Sequence, residues 1–136
     1  MLGRWILPAY EKVISAAKAI KPKLKFIIHT DGENHKFLAD LMAIGVDGIT
    51  PVQPELDDPR MLKERFGRRL ILWGTVSTYG MSFGSPSDVE REVEMRMDVG
   101  KEFGGLIVGP NNVIDVNTPF ENLVRYHESA EKYGRL

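Results

Sequence analysis

Short β-rich runs alternate with punctuated helical segments along the chain, and that alternation restricts the fold more than any other feature of the sequence. Val13, Ile14, Ala17 and Ile20 share one face of a helix over Tyr10 to Ile20, which Pro22 ends. Leu24-Lys25-Phe26-Ile27-Ile28 then reads as a buried strand. Asn34 is placed to cap a helix that turns Phe37, Leu38, Leu41 and Met42 inward, with Gly45 just past its end. A second strand follows at Val46 to Thr50. Asp58-Pro59 has the cap-then-proline order of a helix start, with Met61, Leu62 and Phe66 as its stripe. Leu70 to Trp73 is a third strand, and Ser85-Pro86-Ser87-Asp88 opens a helix with Val89, Val93 and Met97 inward. Gly105 to Val108 is the fourth strand, and Thr118-Pro119-Phe120-Glu121 reads as a capping box with proline at the first helical position.

Strands separated by helices cannot return by hairpins, so the sheet is parallel and the class is α/β. The expected organisation is one domain over residues 1–136, a helix followed by four strand–helix units. Two architectures accommodate it. One is a small doubly wound sheet with helices on both faces. The other is a (β/α)4 half of a TIM-type barrel, whose usual length of ~250 residues is roughly twice this one. A half barrel leaves apolar strand faces bare and so predicts association with a second copy or a complementary half.

Composition removes whole classes of function. Lys and Arg total 18 against 19 Asp and Glu, which leaves no basic excess for a nucleic-acid backbone. No apolar run approaches the ~18 residues of a membrane span, and the first residues lack a signal-peptide core, so the expected compartment is the cytoplasm. Cysteine is absent, which excludes thiolate metal sites and cysteine nucleophiles.

In both architectures ligands bind beyond the C-terminal strand ends, where this sequence concentrates its polar residues. His29 ends the first strand, and Asp31 lies two residues on, on the same side of an extended backbone. Such a pair can bind a divalent metal or act as an oriented acid and base; the alternative is a hydrogen-bonded histidine beside a helix turn. Gln53 and Glu55 follow the second strand as a further ligand or substrate contact, or as a proline-rich polar turn. Gly74 to Gly84 is long for a strand–helix connection, which suits a binding loop as well as a flexible surface loop. Asn111-Asn112 offers amides but equally suits a turn, and Trp73 reads as core or as the floor of a ligand pocket. His35 and His127 read as surface or packing residues on helices, and Met95 and Met97 as helix packing.

Taken in order, Leu7-Pro8, His29-Thr30-Asp31-Gly32, Gly45-Val46-Asp47-Gly48-Ile49, Gln53-Pro54-Glu55, Leu72-Trp73-Gly74 and Thr118-Pro119-Phe120-Glu121-Asn122 cover nearly the whole chain. The series resembles the C-terminal half of the uroporphyrinogen decarboxylase and corrinoid methyltransferase superfamily. The resemblance implies a TIM-type barrel, of which this chain is the second half.

Within that superfamily, the zinc-dependent methyltransferases carry a His-x-Cys motif that His29 matches, while Asp31 stands at the first cysteine and Asn112 at the second. The resemblance therefore implies a harder metal set for zinc or another divalent ion, His29 and Asp31 completed by Glu55. The tetrapyrrole decarboxylases have a histidine where Asn112 stands and an Asn-Leu-Asp-Pro type segment where Thr75-Val76-Ser77-Thr78 stands. Their catalytic aspartate lies in the N-terminal half, outside this chain.

The leading implication is methyl transfer involving a corrinoid and a corrinoid protein. His29 and Asp31 would be the catalytic pair, and Gln53, Glu55, Trp73, Ser77 and Asn112 would contact a small-molecule substrate. The alternatives are decarboxylation of a porphyrinogen and a non-catalytic half barrel that binds a ligand or another half. No nucleic-acid or membrane partner is implied.

Overall fold

The computed structural model describes residues 2–135. A π-helical turn, Leu2–Ile6, leads into α1 (Leu7–Ile20). Then follow β1 (Ile27–His29), α2 (Leu38–Ala43), β2 (Gly48–Thr50), α3 (Pro59–Phe66), β3 (Ile71–Trp73), α4 (Thr78–Phe83), α5 (Pro86–Phe103), β4 (Leu106–Ile107) and α6 (Phe120–Tyr133). The four strands pair in parallel in the order β1-β2-β3-β4.

That order separates the two expected architectures. A doubly wound sheet reverses strand order and takes helices on both faces, whereas a barrel keeps sequential order with its helices outside. Here Ile28, Ile49, Leu72 and Leu106 lie in register across the sheet. Ile49 and Leu72 pack with Leu38 of α2 and with Leu62 and Phe66 of α3. Ile28 joins Ile14 of α1 and Leu41 of α2, and Val76 and Val108 pack with α4, α5 and α6. One step along each strand, on the other face, Trp73 and Ile107 are each 46% exposed. The fold is half of a TIM-type barrel, with its helix side packed and its lumen side open.

Local punctuation explains most helix ends. The Asp58 side chain accepts from the Arg60 amide at the start of α3. Ser85 and Asp88 form a reciprocal capping box on α5, with Pro86 in its first turn. The box expected at α6 does not form, because the buried Thr118 hydroxyl shares a hydrogen bond with Ser82 at 2.8 Å instead. Asn34 is also not a side-chain cap; its amide donates to the Thr30 and Gly32 carbonyls, and α2 starts later. Of the expected inward face of α1 only Ile14 is buried, while Val13 and Ile20 are exposed, since α1 flanks the edge strand β1. The segment after Trp73 is not a flexible loop, because it contains α4, capped by Ser77. Among the described residues no helix is long and apolar enough to cross a membrane.

At the N-terminal ends of the strands, buried Lys63 donates to the Leu70 carbonyl at 2.6 Å, and burial together with Arg68 lowers its pKa. Lys18 and Lys25 both pair with Asp47 at 2.9 Å. Burial works to raise the Asp47 pKa, but those two lysines and the Phe26 amide override it and hold it at about 2.

At the C-terminal ends, Gly74 has φ +71, and an added Cβ would stand 2.8 Å from the Pro110 carbonyl oxygen. This close approach lets the pairing of β3 and β4 continue to a bridge between Val76 and Pro110. Gly67 also has positive φ, at +60, but a Cβ there meets nothing within 4 Å. Alanine at either position is expected to cost about 1–3 kcal/mol in backbone strain, with a further loss at Gly74 from the clash. Urea midpoints of G74A and G67A compare the two; equal losses would remove the close approach as a cause.

Candidate functional site

Parallel strands deliver their following loops to one end of the sheet, and three of these loops lock together here. Past the Val76–Pro110 bridge, the Asn111 amide donates to the Val76 carbonyl at 2.7 Å, which sets Asn111 beside the start of α4. The Asn111 Oδ1 accepts from the Thr78 amide at 3.0 Å and the Thr78 hydroxyl at 2.9 Å. Its Nδ2 donates to Glu55 Oε2 at 3.4 Å. The Ser77 hydroxyl donates to Glu55 Oε1 while accepting from the Gly80 amide at 3.0 Å. The Ser77 amide in turn donates to Glu92 at 3.0 Å, and Glu92 holds Arg96, whose Nε donates to the Thr75 carbonyl at 3.0 Å. A carboxylate from the loop after β2 is thus fixed by side chains that follow β3 and β4.

A second cluster ties the loop after β1 to the same loop after β2. Gln53 Oε1 accepts from the Gly32 amide at 2.8 Å. The fully buried Asp57 carboxylate accepts from the Asn34 amide at 2.5 Å and the His35 amide at 3.3 Å, and its Oδ1 lies 2.5 Å from His35 Nδ1. The loop bearing His29 and Asp31 therefore rests on an internal carboxylate.

The structure brings Glu55, Ser77 and the neighbourhood of Gln53 together, as the sequence suggested for a substrate site. It does not add His29 and Asp31 to them. His29 is exposed at the end of β1 and lines a separate apolar cleft of about 180 Å³ with Tyr10, Phe37 and Leu41. Asp31 is exposed in the following loop. Among the described residues no three His, Cys, Asp or Glu side chains come close enough to hold a metal ion. The structure does not bring His29, Asp31 and Glu55 together, because Glu55 is turned toward Ser77 and Asn111.

Two other expectations change place. Asn112 is exposed and accepts from the Val113 amide at 2.8 Å, while its neighbour Asn111, only 4% exposed, carries the network. Trp73 is not core; it stands on the open face. No local pattern marks Thr78, Tyr79 or Asp57; the sequence offers Asn111 only jointly with Asn112, and His35 only as a surface or packing residue.

Two adjoining clefts of about 370 Å³ each run across these loops and share Thr78, Tyr79 and Asn112. The first adds Gln53, Glu55, Leu56 and Asn111, and the second adds Phe83 and Asp115 among its walls. Neither is lined by a lysine, arginine or histidine among the described residues.

The chain matches the family model described as uroporphyrinogen decarboxylase (URO-D) over residues 1–133. No curated protein matches it. Among solved structures, a methyltransferase from Methanosarcina mazei superposes with a TM-score of 0.75 at 20% sequence identity, over 98% of this chain and 37% of that one.

Removing the Asn111 amide strips the Thr78 amide and hydroxyl of their acceptor and Glu55 Oε2 of its donor, while Ser77 still holds Glu55 Oε1, so Asn111→Ala is expected to cost about 1–3 kcal/mol. Asn112→Ala is expected to stay within about 0.5 kcal/mol of the parent. Urea unfolding of the two variants tests this, and the reverse order would return the role to Asn112.

Proposed function

The chain belongs to the uroporphyrinogen decarboxylase family, and from that premise we propose that it forms half of the catalytic barrel of a methyltransferase-type member. The observation that carries the reading is the Glu55 carboxylate, fixed by Ser77 and Asn111 in a groove without basic side chains. Methyl transfer needs a nucleophile held in line with the donor carbon. Each carboxylate oxygen has more than one acceptor site, so Glu55 keeps capacity on its groove side after its bonds to Ser77 and Asn111. It accepts the hydrogen bond of the incoming nucleophile and takes the proton as the new bond to carbon forms. Gln53 and Asn112 line the same groove and offer amides to the polar end of the substrate. His29 and Asp31 lie outside this groove and take no part in the step at Glu55.

The methyl donor is a corrinoid-bound methyl group presented by a separate corrinoid protein. The two clefts beside Glu55 and Asp115 hold about 370 Å³ each, and a cleft of about 460 Å³ lies at the opposite end of the strands, beside Asp47 and Arg69. The groove beside Glu55 is open, which suits a donor delivered from outside rather than a resident macrocycle. Porphyrinogen decarboxylation is the weaker reading, because a substrate with several carboxylates calls for cationic partners and the groove presents Glu55 and Asp115.

In a barrel completed by its N-terminal half, methylcobalamin is expected to lose its methyl group to an added acceptor. Glu55→Gln is expected to slow that transfer about 10²–10⁴-fold. Conversion of uroporphyrinogen without any methyl transfer would replace this reading with decarboxylation.

The half-exposed Trp73 and Ile107 support a second reading, that the open face associates with another half barrel. The occupant is a second copy or the complementary half. Light scattering on the chain alone is expected to give a mass above the monomer, lowered by Trp73→Ser; a monomer with unchanged Trp73 exposure would leave only the complementary half.

A further inference from the structure

We propose that the groove along α4 takes an organic cation, an alkylammonium head that lies against the rings of Tyr79 and Phe83 with Asp115 as its counter-charge. The proposal deepens the reading of this groove as the substrate site and rests on it. Tyr79 and Phe83 stand four residues apart on α4, so both project from the same side. Their ring centroids lie 4.8 Å apart at 46°, and the residues are 70% and 73% exposed. The platform beneath them is fixed, because Ser77 caps α4, Asn111 holds Thr78, and Ser82 bonds to Thr118.

Two bare rings in an open cleft would suit an apolar ligand equally well, but the remaining walls decide between them. Asp115 lines the cleft beside the rings. Its Oδ1 accepts from the Asn117 amide and Nδ2, both at 2.8 Å, which aims the carboxylate and leaves Oδ2 for a ligand. Glu55 lines the adjoining cleft across the shared Thr78 and Tyr79. The nearby Arg96 is engaged by Glu92 and the Thr75 carbonyl, so it does not offset them. Aromatic faces with carboxylates at both ends attract an alkylammonium group and repel an anion.

Choline and its uncharged carbon isostere, 3,3-dimethyl-1-butanol, separate charge from shape. Calorimetric titration of the chain is expected to give choline at least about tenfold tighter binding than the isostere, within the range of cation–aromatic recognition. The double substitution Tyr79→Leu and Phe83→Leu, on mostly exposed positions that the fold does not need, is expected to weaken choline about tenfold. Asp115→Asn is expected to weaken choline while leaving the isostere unchanged. Equal affinity for the two probes, no choline binding at all, or choline binding that ignores these substitutions would overturn the proposal. The assay involves no methyl transfer: cation binding without turnover would sink the reaction and keep the site, and turnover without cation preference would do the opposite.

Discussion

A parallel sheet has to be covered on both faces, since its strands carry apolar side chains to each of them. This chain covers one. Of the row Ile28, Ile49, Leu72 and Leu106, the first three join cores shared with helices, whereas the alternate positions Trp73 and Ile107 remain half exposed. Everything else follows from that asymmetry. Sequential strand order puts every helix on the same side, and the parallel direction puts every following loop at the same end. The loops can then reach one another: Glu55, Ser77 and Asn111 come from three different connections and meet in one network.

The strand–helix rhythm was legible because it is written in local chemistry. Asp58-Pro59 and the Ser85–Asp88 box act within a few residues of the helix starts they mark, and they do so here. Thr118 shows where local reading stops. Its sequence context is that of a cap, yet a tertiary partner, Ser82, takes the hydroxyl. Helix α1 makes the same point with packing, since periodicity names a face but only neighbours bury it, and Ile14 alone has them.

The site was legible in location and only partly in identity. Placement at the C-terminal strand ends follows from topology, which makes Gln53, Glu55 and Ser77 candidates on sequence alone. The choice between Asn111 and Asn112 could not. It depends on the Val76–Pro110 bridge, which turns one asparagine into the network and the next toward solvent. The spacing of His29 and Asp31 likewise fixed a side of the backbone but not a distance to Glu55, which the network drew elsewhere. The His35–Asp57 pair spans 22 positions and left no local trace.

Charge follows the same axis as the chemistry. Lys18, Lys25, Lys63, Arg68 and Arg69 gather near the N-terminal ends of the strands, where Asp47 is already neutralised by two of them. Asp31, Glu55 and Asp115 lie in the loops at the other end, where Arg96 is spent on Glu92 and a backbone carbonyl. The clefts at the two ends differ in the same sense: Lys18 and Arg69 line the one beside Asp47, whereas Glu55 and Asp115 are the charged residues lining the pair at the C-terminal strand ends. A cleft lined by charge of one sign favours ligands of the other. Selectivity at this face begins with the topology that sorted the charges, because the connections that carry the carboxylates are the same ones that a parallel barrel sends to its binding end.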